Sequence, residues 1–285
     1  MRSNILKQNM KPSVWSSYFI DLSPEEMVKA FATKGWYFSE LSDEHAGVLL
    51  QRGNPEKTGA AFKKFADEHG LSFLQGHLKL KCDIAGEKRA EDVDLLKKWL
   101  DLFNAVGVKY AVLHPGGYTV SESGRDPERI LERNITSLSE LCRYIAGTEM
   151  TICLENIVQT APECDDLLRI INMTGAPNLG ICLDTGHLNR CSRKQADFIK
   201  KAGAYLKALH LNDNEGVTDQ HILPYGRGTI PWDEVLAALK DINYSGLMNL
   251  EIPGENNCPP EIRMAKLDYI KEIMNYMSER MSVSV

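Results

Sequence analysis

Apolar positions along this chain follow two rhythms. Short runs have the character of buried strands, and longer stretches repeat hydrophobic residues at three- and four-residue spacing. The runs predict eight strands, at Ser13–Phe19, Trp36–Leu41, Ser72–Leu78, Tyr110–His114, Thr151–Glu155, Leu179–Asp184, Leu206–Leu211 and Leu247–Ile252. The stretches predict helices at Pro24–Thr33, Glu56–Glu68, Ala90–Ala105, Pro127–Ile145, Pro162–Met173, Lys194–Ala204, Trp232–Lys240 and Pro260–Met281. Several helix starts carry their own chemistry: Ser23-Pro24-Glu25-Glu26 offers an N-cap, a proline at the first helical position and acids in the first turn. Asp126-Pro127-Glu128 repeats the device, and Gly70 and Gly107 stand where a helix must turn back into a strand.

Strict β–α alternation favours a parallel sheet. Eight such units typically occupy about 250 residues, so the 285 residues are expected to form one (β/α)8 barrel, a single domain over 1–285. An open doubly wound sheet is the alternative, and it would gather its site at one switch point instead of from many strand ends.

Composition changes this picture little. The chain is 43% apolar and 25% charged, ordinary for a globular protein. No apolar run approaches the ~20 residues of a membrane span, and the N-terminal MRSNILKQNMKPSV lacks the apolar stretch of a secretory leader, so a cytoplasmic location is expected. Seven scattered cysteines without a C-x-x-C pair do not resemble a disulfide scaffold or a structural zinc site. A net charge of −6 offers no broad basic face for a phosphate backbone. The expected partner is a small polar molecule, with nucleic acid disfavoured and a homo-oligomer left open.

The candidate chemistry sits where the predicted strands run out. His77, His114, Glu155, Asp184, His187, His210, Asp219, His221 and Glu251 all fall at or just beyond strand ends, the positions from which a barrel builds an active site. Glu155 closes TICLE, Asp184 closes GICLD with His187 three residues on, His210 closes LKALH, and Glu251 follows LMNL. A lone carboxylate there is commonly a helix cap or ion-pair partner, and a lone histidine commonly structural. Four acidic or imidazole groups on consecutive strands are a different matter: they would repel without a cation, and the set suits Mn, Mg, Co or Zn.

These residues resemble a known family. CLEN, CLDTGH, ALHLND and NLEIPGE, with GRGTIPW at Gly226–Trp232, are similar to the xylose isomerase-like TIM barrels, a superfamily of sugar isomerases, tagatose 3-epimerase-type epimerases and endonuclease IV. The resemblance implies one divalent metal ion held by Glu155, Asp184, His210 and Glu251. It further implies that Glu155 and Glu251 are the acid/base pair and that His187 binds substrate. In such a site a sugar carbonyl and neighbouring hydroxyl meet the cation, an enediolate forms, and two carboxylates exchange protons on its faces. Epimerisation needs both faces and isomerisation one, so the residues leave that choice open, as they do a dehydratase or lyase on a keto-sugar.

His77, His114, Asp219 and His221 then become substrate-binding or proton-transferring groups. Trp15 is a candidate sugar-stacking residue, with plain core the competing reading. Arg227 is a candidate phosphate or carboxylate holder, with a solvated surface arginine the competing reading. The endonuclease-like alternative uses the same nine residues for up to three zinc ions in a phosphoester hydrolase. A binding protein without catalysis is a third class, and it would show no proton exchange with solvent.

Overall fold

Each predicted apolar run becomes a strand. In a computed structural model of the chain, which describes residues 11–121, 126–254 and 256–282, these are β1 (Lys11–Trp15), β2 (Phe38–Leu41), β3 (Ser72–His77), β4 (Tyr110–Leu113), β5 (Thr151–Glu155), β6 (Leu179–Asp184), β7 (Leu206–His210) and β8 (Leu247–Leu250). The N-terminal stretch through Met10, read above for a leader, lies outside the described residues. All eight strands are parallel, in the order β7-β6-β5-β4-β3-β2-β1-β8. The remaining seam between β7 and β8 is drawn together at its upper end: the Leu211 amide donates to the Asn249 carbonyl at 2.7 Å, and the Glu251 amide donates to the Leu211 carbonyl at 3.1 Å. Eight strands in a nearly closed ring with helices between them form a (β/α)8 barrel.

The helices are α1 (Pro24–Thr33), α2 (Asp43–Leu50), α3 (Pro55–Glu68), α4 (Arg89–Val106), α5 (Pro127–Tyr144), α6 (Cys164–Thr174), α7 (Thr185–Asn189), α8 (Gln195–Ala202), α9 (Trp232–Asp241) and α10 (Pro260–Ser282). The cap at Ser23 forms as its sequence predicts, with Ser23 and Glu26 satisfying each other's backbone donors. Such a cap contributes about 1 kcal/mol. Gly107 ends α4 at φ +92°, a left-handed geometry that glycine adopts without steric cost. No helix among the described residues is long and apolar enough to cross a membrane.

Several predicted boundaries need correction, most by one or two residues at an element end. The run Ser13–Phe19 does not continue as a strand: it leaves the sheet after Trp15 and tightens into a 3-10 turn at Ser16–Phe19. The reason is Ser16, whose hydroxyl accepts from the Ser42 amide at 2.9 Å and lies 2.9 Å from His45 Nδ1. The second strand starts at Phe38 instead of Trp36, because the Trp36 amide still closes α1 by donating to the Phe31 carbonyl at 3.1 Å. Two helices were not predicted. The α2 sequence DEHAGVLL follows its strand after a single capping serine, and α7 lies inside the DTGHLN motif.

The barrel lumen is divided. Strand side chains alternate between faces, so residues two places below the strand-end groups form the next layer. On β4 to β7 that layer is apolar, with Val112, Cys153, Cys182 and Ala208 in one buried cluster. On β8, β1 and β3 it is polar, with Asn249, Ser13 and Gln75 fully buried. Cys153 and Cys182 are therefore lumen packing residues that behave as small hydrophobes.

Candidate metal centre

The upper rim of the barrel collects the sequence-predicted residues into one connected group. Glu155, Asp184 and His210 end their strands, and Glu251 follows β8 directly. One ligand atom from each of these four lies within 4.8 Å of every other, and all four residues are buried. His210 Nδ1 stands 3.2 Å from Glu155 Oε1 and 3.4 Å from Glu251 Oε2. Asp184 is fixed by three neighbours. Its Oδ1 accepts from the His187 amide at 2.6 Å, its Oδ2 accepts from Asn212 Nδ2 at 2.7 Å, and its own amide donates to Asn156 Oδ1 at 2.7 Å.

These donors fit a divalent cation on an observation independent of any family. His210 Nδ1 and Glu251 Oε2 are both shut away from solvent, and neither makes a hydrogen bond. Buried polar atoms in native structures are nearly always paired. Two unpaired lone-pair atoms 3.4 Å apart, facing further carboxylate oxygens, are the donor set of an oxygen-rich site with one imidazole.

The remaining histidines surround this centre. Glu155 Oε2 lies 3.2 Å from His77 Nε2 and 3.2 Å from His114 Nε2, while its Oε1 lies 3.3 Å from His187 Nδ1. His187 Nε2 reaches Asp219 Oδ2 at 3.3 Å, and His221 Nε2 reaches Asp219 Oδ1 at 3.5 Å. Two flanking sets are close enough to share a cation of their own: His77, His114 and Glu155, and Asp184, His187 and His221. All nine rim residues predicted from sequence are thus joined by a continuous chain of pairwise contacts.

Burial and charge push the two glutamates apart. Burial would raise Glu155, but the charges of His210 and His114 overcome it and hold the carboxyl well below its usual range. Burial dominates at Glu251 and pushes it up to about 7, against the pull of His210 and His221. Without a cation, then, Glu155 gives up its proton more readily than Glu251.

The other two predicted residues are not among the four candidate ligands, although Trp15 stands one step beyond the paired Val14 and Leu250, alongside Glu251. Trp15 ends β1, and its buried Nε1 has no hydrogen-bond partner. Arg227 has its side chain 67% exposed, with Glu215 3.9 Å away. The GRGTIPW stretch around it is held by a different residue, the buried Asp213. Its Oδ1 accepts from the Thr229 amide at 3.0 Å and the Ile230 amide at 3.2 Å, and its Oδ2 accepts from Trp232 Nε1 at 2.7 Å. Gly228 must lack a side chain, since a Cβ there would sit 2.0 Å from Asp213 Cγ.

Sequence reasoning missed Glu40. This fully buried carboxylate on β2 puts Oε1 3.1 Å from His210 Nε2 and accepts from Asn249 Nδ2 with Oε2. It lies one layer below the strand-end groups, at the depth of Asn249 and Ser13. The predicted strand Trp36–Leu41 contains it, but Glu40 stands one residue short of the strand end, inside the run, and no motif marks it.

Comparisons with known proteins show the family of the chain. A D-psicose 3-epimerase of Enterocloster bolteae is 29% identical over 202 residues, covering 66% of this chain and 64% of that protein, so the chain spans less than two thirds of the relative's length. A probable endonuclease 4 of Mycoplasma pneumoniae is 28% identical over 203 residues, covering 65% of this chain and 68% of that protein. A crystal structure of D-psicose 3-epimerase with D-tagatose from Clostridium cellulolyticum superposes with a TM-score of 0.79 at 18% identity, covering 94% of this chain and 99% of that one. That likeness carries the fold. Residues 29–279 match the family described as Xylose isomerase-like TIM barrel, nearly the whole barrel with its rim, and the chain belongs to that family.

Proposed function

We propose that the protein is a sugar epimerase or isomerase that moves a proton at the carbon beside a sugar carbonyl. The observation that carries this reading is the placement of Glu155 and Glu251, which approach His210 Nδ1 from β5 and from beyond β8 at 3.2 and 3.4 Å with different proton affinities. Two carboxyls with separated pKa values are the requirement for a base and an acid at one carbon. Glu155 takes the proton and Glu251 supplies one. Glu155, Asp184, His210 and Glu251 hold one divalent cation, of the Mn, Mg, Co or Zn class. When bound, it supplies positive charge for the oxygen that becomes negative as the proton leaves.

His187, with its ring held between the Asn156 carbonyl at 3.0 Å and Asp219, faces the same centre and binds a substrate hydroxyl. His77, His114, Asp219 and His221 line the rim and position the sugar, with Trp15 alongside Glu251 and the exposed Arg227 as further substrate-binding candidates. Relatives named as sugar 3-epimerases support a small-molecule sugar as the partner.

The test is incorporation of deuterium from solvent into ketohexoses by the cation-loaded protein. Label at the carbon next to the carbonyl is the expected result, and its absence across ketohexoses and their phosphates would sink the reading. A second reading, phosphoester hydrolysis on up to three zinc ions, has one observation in its favour: the flanking sets His77–His114–Glu155 and Asp184–His187–His221. Elemental mass spectrometry separates the two. About one metal ion per chain supports the sugar reading, and two or three zinc ions support hydrolysis.

A further inference from the structure

Glu40 has no part in the chemistry described so far, yet it is a fully buried carboxylate in the barrel lumen. Ion burial costs several kcal/mol unless the charge is well paired, and on β4 to β7 the same depth of the lumen is filled by apolar side chains. Packing alone therefore does not call for a charge on β2. Both oxygens are engaged: Oε1 faces His210 Nε2 at 3.1 Å, and Oε2 accepts from Asn249 Nδ2. Asn249 Oδ1 in turn accepts from the Ser13 hydroxyl at 2.8 Å.

The direction of every hydrogen bond in this chain is fixed by one fact: a carboxylate accepts and does not donate. Asn249 must turn its NH2 toward Glu40, which leaves its oxygen for the Ser13 hydroxyl. In its neutral form, the form that can bind a cation, His210 must carry its proton on Nε2, which leaves the ring lone pair on Nδ1. Nδ1 is the unpartnered atom between Glu155 and Glu251. We propose that Glu40 is the positioning residue of the centre, setting the tautomer and ring orientation of His210 through the chain Ser13–Asn249–Glu40–His210 so that Nδ1 is delivered to the cation. The proposal rests on the four-ligand reading given above. It acts through His210, since Glu40 lies below the rim and touches none of the other three ligands by any hydrogen bond in the structure.

The experiment is a titration of the metal-free full-length chain with MnCl2, read by electron paramagnetic resonance of free Mn(II), in wild type, E40Q and E40Q/N249D. Glutamine offers one acceptor and one donor. With its oxygen toward Asn249, its NH2 faces His210 Nε2 and demands the other tautomer, placing the proton on the ligand atom. E40Q should weaken binding about 10- to 100-fold, the range for loss of a partner behind a metal-bound histidine. In E40Q/N249D the introduced aspartate accepts both from Ser13 and from the NH2 of the introduced glutamine. That returns the glutamine oxygen to His210, so most of the affinity should come back.

A residue that served the fold alone would lower thermal stability in both variants without this pattern of loss and rescue. Unchanged affinity in E40Q, or a double variant no better than E40Q, overturns the proposal alone. A wild type that takes up no cation overturns the four-ligand reading and the proposal with it. Should E40Q not fold, the wild type still decides: long-range proton–nitrogen correlation of zinc-loaded, 15N-histidine protein should show His210 metallated at Nδ1 and protonated at Nε2. Metallation at Nε2 overturns the proposal.

Discussion

His221 holds a left-handed backbone at φ +47°, and its Nδ1 lies 2.9 Å from the carbonyl oxygen of Glu251. Left-handed geometry is costly for a branching side chain, on the order of 1 kcal/mol or more, and persists where the surroundings over-determine it. Here the carbonyl holds the Nδ1 proton, and Nε2 is turned toward Asp219. Glycine at this position should accordingly be more stable than alanine by about 1 kcal/mol, the reverse of their usual order. Chemical denaturation of H221G and H221A checks this. On the sugar reading both variants keep one cation per chain and change the pH–rate profile. Loss of a second metal ion from H221A would instead favour the zinc cluster.

Turnover should respond to both glutamates, and stability to one. Replacing Glu155 or Glu251 with glutamine removes a proton-transferring group, and each variant should lose about 10²- to 10⁴-fold in turnover and in solvent-deuterium exchange. In the metal-free protein E155Q should also lower the melting temperature more than E251Q. Glu155 is the ionised neighbour of four histidines, whereas the protonated form of Glu251 is already close in shape and charge to glutamine. Near-normal activity in either variant would refute the acid/base assignment.

Alkaline pH should weaken the cation-free protein. Burial disfavours a charge on His77, but the Glu155 hydrogen bond and charge outweigh it and push the ring up to about 9. At His221, burial is outweighed by Asp219 and Glu251, and the ring is pushed up to about 10. Both lie above the unfolded value of about 6.5, so their stabilisation is complete below that pH and is lost as pH rises through the folded values. Glu251 acts in the same direction at lower pH. Raised to about 7 by burial, it keeps a proton the unfolded chain has released, so stability declines from about 4.5 to about 7. The melting temperature in excess chelator should therefore fall steadily from about pH 6 to about pH 10, and saturating Mn²⁺ should flatten the decline. A level profile in chelator would contradict these charge assignments.

Asp213 should matter for the loop more than for the chemistry. D213A leaves the Ile230 amide and the Trp232 indole N–H without their buried acceptor and takes one of two acceptors from the Thr229 amide, a loss of about 3 kcal/mol or more. D213N keeps the shape, but with its oxygen on the amides it turns an NH2 toward the indole N–H, at a cost of about 1–3 kcal/mol. Removing that second donor with W232F should recover part of the D213N loss. Urea denaturation of D213A, D213N, W232F and D213N/W232F measures each step, and additive losses in D213N/W232F would reject the donor clash.

The strand ends were legible because an acidic or imidazole group at the end of an apolar run is conspicuous, and the fold places such ends on one rim. Thr151–Glu155 and Leu179–Asp184 form over the residues their pattern predicts, since both are continuous apolar runs ending in a charge. Legibility fails where a distant contact decides. Nothing local to SSYF says that the Ser16 hydroxyl will meet Ser42 and His45 and draw the chain off the sheet. His45, left without a role in the sequence, is a buried pin: Nδ1 lies 2.9 Å from Ser16 Oγ and Nε2 lies 3.2 Å from the Leu22 carbonyl. Glu40 was missed for a related reason, because its partners His210 and Asn249 lie 170 and 209 residues away in sequence.

The divided lumen limits how far this centre can be transplanted. Moving Glu155, Asp184, His210 and Glu251 onto another eight-stranded barrel would copy the four donors but leave their histidine above an ordinary apolar layer, free to present either nitrogen. The smallest portable unit spans two layers of the barrel and adds Ser13, Glu40 and Asn249 from β1, β2 and β8. A designer borrowing this centre would have to give up hydrophobic filling on that side of the barrel, and recover the lost stability in the helices outside.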